Sequence, residues 1–206
     1  MKDAREEIDL LNRWREGNEH AGEILMDRNF PRIKSFFARK TSDHELIKEL
    51  TQRTFMRCLD KVSTFEGRSS FSSFIYGIAH HILLEYFREQ RRSERSIPIS
   101  ETPVADLDPS PFSIVERKSE RKLIIHALRR LPLQMQIIAE LYFFEELSGR
   151  EIGEVLGVSE GTVRGRIRSC RKQLKEHIHA LAESPQQLES TLMTLSLWGK
   201  QVREQI

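Results

Sequence analysis

Apolar residues recur at spacings of three and four along most of this 206-residue chain, and no segment shows sustained alternation of apolar and polar positions. A spacing near 3.6 is the period of an α-helix, whereas alternation is the period of a strand. The pattern therefore predicts an all-α protein.

Helix-breaking residues are concentrated in the middle of the chain, where four of the seven prolines fall within fourteen residues: Pro98, Pro103, Pro109 and Pro111. Proline removes a backbone donor and restrains the residue before it, so this stretch is expected to be a linker. The predicted architecture is two small helical bundles joined by a proline-rich acidic linker, plus a C-terminal helical extension. The predicted boundaries are 1–95, 96–115, 116–180 and 181–206.

The first bundle is predicted to hold four helices. Two span about Ile8 to Arg15 and Glu19 to Asn29, and Pro31 is expected to break the chain after the second. Ser42-Asp43-His44-Glu45 has the form of a capping box, with Ser42 as the cap of a third helix, and a fourth runs from about Ser70 to Arg92. The core positions predicted on the last two helices are Ile47, Leu50, Thr54, Cys58, Val62, Phe71, Phe74, Ile78, Ile82 and Tyr86.

The second bundle contains a predicted helix-turn-helix. Ser148-Gly149-Arg150-Glu151 is another capping box, Gly157-Val158 forms a turn, and Ser159 caps the next helix. Within that last helix, apolar residues at steps of four and three are expected to face inward: Val163, Ile167, Cys170 and Leu174.

The net charge of +2 conceals an uneven distribution. Residues 1–95 carry a net +2 and residues 116–180 a net +4, while the linker at 96–115 carries a net −3 and residues 181–206 a net −1. Clustered positive charge matters more than the average for binding a polyanion, so nucleic acid is the leading partner class.

The sequence gives little support for a secreted protein, a membrane protein, a metalloprotein or an enzyme. The first thirty residues lack the apolar run of a secretory signal, and no segment is apolar enough to enter a membrane, which favours a cytoplasmic location. Cys58 and Cys170 lie far apart and without metal-ligand spacing, so both are expected to be small buried residues. His80 and His81 are adjacent and lack a partnering carboxylate or cysteine, so we expect no catalytic residue, no metal and no cofactor.

The helix after Ser159 presents a basic face. With the apolar stripe turned inward, Arg164, Arg168, Lys172 and Lys175 point outward, and Gly165 between them offers no side chain. A helix fits the major groove of DNA and places guanidinium groups against base edges, while flanking cations hold phosphates. The alternative is a solvated basic face on an ordinary helix.

A second candidate site lies between the third and fourth helices. The stretch from Val62 to Phe71 leads into a helix that is rich in aromatic residues and ends in arginines, a combination suited to single-stranded nucleic acid. Phe71 and Phe74 are expected to be core residues. Phe65 lies in a glycine-containing turn, where burial is less compelling, and is the better candidate for base stacking.

Together these features resemble the bacterial sigma factors of the extracytoplasmic function group, in the sigma-70 family, over nearly the whole chain. The first bundle is similar to sigma region two in three stretches: Glu49-Leu50-Thr51-Gln52-Arg53-Thr54-Phe55, Phe65-Glu66-Gly67-Arg68-Ser69-Ser70-Phe71 and Phe74-Ile75-Tyr76-Gly77-Ile78-Ala79-His80-His81. The second is similar to region four in Ala127-Leu128-Arg129-Arg130-Leu131-Pro132 and in the helix-turn-helix from Ser148 to Arg164.

The resemblance implies a transcription initiation factor that binds core RNA polymerase and promoter DNA and is not an enzyme; whether an anti-sigma factor also binds it is left open. The residues implied for the polymerase are Glu49, Gln52, Arg53 and Phe55. Those implied for the melted minus-ten strand are Phe65, Arg68, Ser70, His81, Arg88, Arg91 and Arg92. Those implied for the minus-thirty-five duplex are Thr162, Arg164, Gly165, Arg166, Arg168, Arg171 and Lys172.

Several positions depart from the family pattern. Gly77 stands where the family usually has arginine, Phe74 where it usually has tryptophan, and His81 where asparagine is frequent. The alternative function is a stand-alone helix-turn-helix regulator with a helical N-terminal sensor or dimerisation domain. The N-terminal bundle argues against it, because a protein that reads only duplex DNA has no use for an aromatic and basic helix.

The C-terminal extension is predicted to contain a helix that begins at Ser184-Pro185-Gln186-Gln187, where a cap, a first-turn proline and a glutamine coincide. An apolar stripe follows at steps of three or four: Leu188, Leu192, Leu195, Trp198, Val202 and Ile206. The sequence leaves three interpretations open: completion of the second bundle's core, disorder, or a regulatory contact.

Overall fold

The computed structural model describes residues 2–65, 67, 69–90, 102–104 and 120–201. Over these residues the chain is helical, with no β-strand beyond one isolated bridge, which confirms the predicted all-α class. No helix in the described part of the chain is long and apolar enough to span a membrane. The helices are α1 (Lys2–Arg15), α2 (Glu19–Ala38), α3 (His44–Lys61), α4 (Phe71–Gln90), α5 (Glu120–Arg129), α6 (Leu133–Phe143), α7 (Gly149–Leu156), α8 (Glu160–Leu181) and α9 (Pro185–Gln201).

Helices α1 to α4 form the first bundle around an aromatic core. α2 packs against α1 and α3, and α3 packs against α4. The predicted core positions of α3 and α4 are buried apart from Val62, Phe74 and Tyr86, which are half-buried. Cys58 and Cys170 are both buried, and burial raises the pKa of each thiol to about 12, as expected for small core residues.

Two sequence predictions about the first bundle are wrong. Asp43, not Ser42, is the N-cap of α3, since its carboxylate accepts hydrogen bonds from the backbone N–H groups of Glu45 (2.9 Å) and Leu46 (3.1 Å). Pro31 does not end the second helix but lies inside α2. Proline inside a helix removes one hydrogen bond and disturbs the preceding turn. The residues after it include the fully buried Ile33, Phe36 and Phe37, and their burial favours continuation of the helix.

Helices α5 to α9 form the second bundle. α8 packs against α5, α6 and α7, and α9 packs against α5 and α8. The helix predicted in the C-terminal extension is confirmed: Ser184 Oγ accepts from the N–H of Gln187 at 3.1 Å. Leu188, Leu192 and Leu195 pack on the core, and Thr194 Oγ1 donates to Glu120 at 2.9 Å. α9 therefore completes the second bundle, while Val202 and Ile206 lie outside the described residues and the side chain of Trp198 is not described.

Only Thr102–Val104 of the predicted linker is described, and these residues lie against the turn between α5 and α6. The N–H of Val104 donates to the carbonyl of Leu131 at 3.3 Å, and the N–H of Leu133 donates to the carbonyl of Thr102 at 2.9 Å. Val104 is fully buried, so this part of the linker is fastened to the second bundle.

A buried histidine makes the stability of the first bundle sensitive to acid. His80 lies on α4, and its burial lowers its pKa to about 4, with further lowering by the nearby His81, Lys40 and Arg88. Between pH 6.5 and 4 the unfolded chain binds a proton that folded His80 does not, so the free energy of unfolding falls as the pH falls. From pH 7 to pH 5 we expect this group to remove about 2 kcal/mol.

The change His80→Gln is expected to remove this part of the acid sensitivity, because glutamine does not titrate. Urea denaturation of both proteins at pH 7, 6 and 5 measures it. His20→Gln is the control, since His20 is exposed on α2. Parallel loss of stability in wild type and His80→Gln would show that His80 is not the acid-sensitive group.

Candidate nucleic-acid and polymerase interfaces

The helix-turn-helix is built from α7, α8 and a tight turn. Ser148 and Glu151 form the predicted capping box, with Ser148 Oγ accepting from the N–H of Glu151 at 3.2 Å and the Glu151 carboxylate accepting from the N–H of Ser148 at 2.9 Å. Gly157 ends α7 with a left-handed φ of 66°, which glycine adopts without steric cost. Ser159 Oγ then accepts from the N–H of Thr162 at 3.2 Å and caps α8.

The outer face of α8 is open and basic. Its predicted inward stripe is buried, and five candidate residues lie exposed on the other side: Thr162, Arg164, Gly165, Arg168 and Lys172. A side chain added at Gly165 would meet nothing within 4 Å. Arg164 pairs only loosely with Glu160, at 3.4 Å, and keeps most of its side chain exposed. This face leaves room for a DNA groove to approach the backbone.

Two other predicted residues of α8 lie differently. The guanidinium of Arg171 lies 5.6 Å from the ring centroid of Tyr142 and 5.5 Å from that of Phe143, so cation–π contacts hold it against α6. Arg166 is half-buried, with one of its terminal nitrogens shielded from solvent. The resemblance implies both residues for the duplex; in the structure Arg171 lies against α6 and Arg166 is half-buried, so neither shares the full exposure of Arg164 and Arg168.

Two of the candidate minus-ten residues, Phe65 and Ser70, lie just before the start of α4. Phe65 is the predicted base-stacking residue because burial is less compelling in its turn, yet in the structure it is buried: it is 9% exposed and stacks on Phe74 with ring centroids 4.4 Å apart. The guanidinium of Arg15 lies over the ring of Phe65, 5.6 Å from its centroid. Ser70 Oγ accepts from the N–H of Ser73 at 3.1 Å, so Ser70 acts as a local cap.

The remaining minus-ten candidates are exposed or not described. His81 and Arg88 are exposed on α4. Arg68, Arg91 and Arg92 lie outside the described residues. The structure therefore brings Phe65, Ser70, His81 and Arg88 onto or beside one helix.

The polymerase-binding candidates lie on α3. Glu49 and Gln52 are exposed, while Arg53 and Phe55 are half-buried. Arg53 lies 3.4 Å from Glu49 and 3.8 Å from Glu85 of α4, so its charge is already balanced within the bundle.

Gln52 and Phe55 also line an open groove of about 550 Å³ between α2 and α3. The groove contains three exposed large apolar side chains that the sequence analysis missed: Phe30 (48% exposed), Met56 (57%) and Leu59 (50%). The rings of Phe30 and Phe55 lie 5.5 Å apart. Phe55, Met56 and Leu59 form a second helical stripe beside the core stripe of α3, and that spacing could have revealed the groove.

Within the described ranges, no group of three or more His, Cys, Asp or Glu residues is placed to hold a metal ion. His80 and His81 are adjacent on α4 and have ring centroids 5.6 Å apart.

Comparisons with known proteins identify the family of the chain. Residues 25–93 match the family described as Sigma-70 region 2, and residues 127–176 match Sigma-70, region 4. The chain is 29% identical over 157 residues to the RNA polymerase sigma factor YlaC of Bacillus subtilis, covering 76% of this chain and 91% of that protein. It is 25% identical over 181 residues to the ECF RNA polymerase sigma-E factor of Haemophilus influenzae, covering 84% and 95%.

A solved structure supports the fold. The sigma factor RpoE of Bartonella quintana, in complex with the anti-sigma factor NepR, superposes with a TM-score of 0.58 at 17% identity and covers 76% of this chain and 96% of that one. With both family regions in order along the chain and relatives matched over most of their length, the protein belongs to the sigma-70 family, as a sigma factor of the extracytoplasmic function group.

Proposed function

We propose that this sigma factor binds core RNA polymerase through its first bundle, reads the minus-thirty-five element as duplex DNA with α8, and holds the melted minus-ten strand beside α4. Sigma factors direct RNA polymerase to promoters and are initiation factors, not enzymes. In this assignment residues 1–95 serve polymerase and minus-ten binding, 96–115 connect, 116–180 serve minus-thirty-five binding, and 181–206 are the C-terminal extension.

The observation that carries the proposal is the apolar groove on α2 and α3 in the same chain as the basic face of α8. Phe30, Met56 and Leu59 are large apolar side chains left about half exposed. Contiguous exposed apolar surface of this kind marks a protein-binding site. A regulator that bound duplex DNA alone would need the face of α8 but not this groove.

Strand capture requires the loop before α4 to rearrange. Phe65 is stacked on Phe74, so a base can reach it only if that stack opens. Extruding a base costs a few kcal/mol, and stacking on an aromatic ring returns about 1–3 kcal/mol per base. Exchanging one ring for a base keeps the cost moderate, and the exposed His81 and Arg88 further along α4 would hold the strand.

The groove can be tested by placing a charge in it. Met56→Glu is expected to weaken binding to purified core polymerase about tenfold or more, because a carboxylate would have to be desolvated in an apolar contact. The folded chain should be little affected, since Met56 is 57% exposed. Affinity is measured by fluorescence anisotropy with labelled chain, and thermal denaturation verifies the fold.

The matched control is Met193→Glu, the same change at a methionine that is 63% exposed on α9. It should bind core polymerase as wild type does. Run-off transcription of a genomic DNA library with core polymerase then tests promoter use. If wild type neither binds core polymerase nor supports transcription, the stand-alone regulator becomes the better assignment.

A further inference from the structure

The apolar groove between α2 and α3 carries opposite charges at its two ends. A short connection joins the helices, so they run in opposite directions, and the contact between Phe30 and Phe55 fixes which residues lie side by side. Asp27 lies one turn before Phe30 and lines the groove together with Leu59, near the end of α3. Lys34 lies one turn after Phe30 and lines the groove toward the beginning of α3. The groove therefore has an acidic end and a basic end.

The acidic end opens into a second recess, of about 580 Å³, which shares Asp27 and Leu59 with the groove. The carboxylates of Glu19 and Glu23 also line it, at steps of four from Asp27 along α2. Residues four apart share one face of a helix, so these three carboxylates form one wall. Glu23 lies 3.1 Å from the ring of the exposed His20, which is uncharged in its neutral form. Among the residues that the structure describes, no lysine or arginine lines the recess.

The recess has the composition that accepts a lysine side chain. Trp14 lines it beside the apolar side chains of Met26 and Leu59. A lysine packs its hydrocarbon stem against apolar surface and keeps its ammonium group in a polar or charged setting. An aromatic ring adds attraction for the cation. Close packing holds the indole in place, since a Cβ at Gly22 would lie 2.6 Å from it.

The basic end of the groove presents such lysines. Lys34 of α2 and Lys48 of α3 are exposed and line this end, together with His44. Glu45 also lines it, and its carboxylate lies 4.0 Å from the Lys48 ammonium group. Two lysines against one carboxylate leave this end net positive, with the histidine counted as neutral.

This surface is complementary to a second copy of itself. In a two-fold dimer the same patch of both subunits forms the interface. With the axis running across the groove, the acidic end of each copy faces the basic end of the other, at two equivalent positions. The apolar side chains between the ends then cover one another: Phe30, Phe55, Met56 and Leu59.

We propose that the free chain pairs with a second copy of itself, groove against groove, and that this pairing covers the apolar surface until core polymerase replaces the second copy. The replacement by polymerase rests on the proposed function, whereas the pairing does not. A contact limited to two helices from each copy is small, in the class of weak and transient interfaces that bury less than about 1,200 Å². A weak dimer dissociates readily, so the groove stays accessible to polymerase.

Self-association is measured by sedimentation velocity of the full chain at concentrations from about 1 to 100 µM. Wild type should change from monomer to dimer within this range. A chain that is still monomeric at about 100 µM would overturn the pairing. Polymerase binding by such a monomeric chain would assign the groove to polymerase alone and leave the proposed function standing.

Charge reversal at either end tests the orientation of the two copies. Glu23→Lys with Asp27→Lys leaves both ends of the groove net positive, and Lys34→Glu with Lys48→Glu leaves both ends net negative. Each double variant alone should associate at least about tenfold more weakly than wild type, because like charges then face each other. All four residues are exposed, so the fold should be retained, which thermal denaturation verifies. Wild-type association of either double variant would overturn the proposed orientation.

A mixture of the two double variants gives the sharpest result. In a mixed dimer every positive end meets a negative end, so association should return to within about tenfold of wild type. A mixture that stays monomeric where wild type forms dimers would overturn the groove-to-groove arrangement. Glu183→Lys with Glu189→Lys is the matched control, since both residues are exposed at or near the start of α9, and it should associate as wild type does.

The apolar part of the groove is tested with Met56→Glu, which should weaken pairing about tenfold or more because a carboxylate would be desolvated between the copies. Met193→Glu should leave pairing unchanged, since Met193 lies on α9. Undiminished pairing of a folded Met56→Glu chain would overturn an interface through the groove.

Replacement by polymerase is read by light scattering after core polymerase is added to the wild-type dimer. Each polymerase complex should contain one copy of the chain. A complex with two copies would overturn the claim that pairing and polymerase binding exclude each other. If wild type forms dimers but does not bind core polymerase, the proposed function fails while the pairing stands.

Discussion

Replacing Arg164 and Arg168 together with alanine is expected to weaken binding to a minus-thirty-five duplex by about 2–6 kcal/mol, on the estimate that each well-placed arginine contributes about 1–3 kcal/mol. Both guanidinium groups lie on the exposed face of α8, on either side of the unobstructed Gly165. Neither packs against the core, so the fold should be retained. Fluorescence anisotropy with a duplex taken from a promoter identified by run-off transcription measures the loss.

The matched control for this pair is Arg171→Ala on the same helix. Because Arg171 lies against Tyr142 and Phe143, its removal should cost about 0.5–1 kcal/mol of stability and leave DNA affinity of the folded chain nearly unchanged. The affinity of the wild-type chain for DNA should also fall as the salt concentration rises. A plot of log affinity against log salt concentration should have a slope of about −0.9 for each phosphate contacted. Affinity that is independent of salt, or unaffected by the double substitution, would remove α8 from the DNA interface.

The helix-turn-helix was predictable from sequence because its determinants are local. The Ser148 capping box, the left-handed Gly157 and the cap at Ser159 each act within four residues, and the buried stripe of α8 repeats at the helical period. Each local preference agrees with the surrounding fold, so helix propensity and residue spacing predict the same helix-turn-helix that the structure contains.

The wrong predictions concern residues whose structure depends on contacts with residues far away in the sequence. Pro31 has a local tendency to end a helix, but the aromatic core beyond it keeps α2 continuous. Phe65 lies in a polar turn and is buried only because Phe74 and Arg15 meet there in three dimensions. The pairing of Lys40 with Glu140 joins residues one hundred positions apart, and nothing in either local segment indicates it.

The cap of α3 shows a different limit. Ser42 and Asp43 are adjacent, and both residue types are strong N-caps, so spacing alone does not choose between them. Glu45 lies three positions after Ser42, which is the spacing of a capping box and favours Ser42 in the sequence. In the structure the Asp43 carboxylate accepts from two backbone N–H groups. An ionised acceptor also interacts favourably with the helix dipole, which gives it the advantage.

The other large effect is expected where α7 packs against the turn that follows it: Gly153→Ala should lower the free energy of unfolding by about 3 kcal/mol, the upper part of the usual range for overpacking. A Cβ at residue 153 would lie 2.6 Å from the carbonyl oxygen of Val158. That oxygen belongs to the backbone, and its position is fixed by the hydrogen bond from the Val158 N–H to the Gly153 carbonyl, 3.0 Å, and by the left-handed Gly157.

Gly77→Ala is the matched control, because a Cβ at this position in the interior of α4 meets nothing within 4 Å. It should stabilise the chain by up to about 1 kcal/mol, since alanine favours a helix over glycine by that amount. Urea denaturation followed by circular dichroism compares the three proteins. A loss of stability for Gly153→Ala together with a gain for Gly77→Ala would establish that α7 and the turn after it approach closely enough to require glycine. Equal stabilisation by both substitutions would mean that Gly153 is an ordinary helical position.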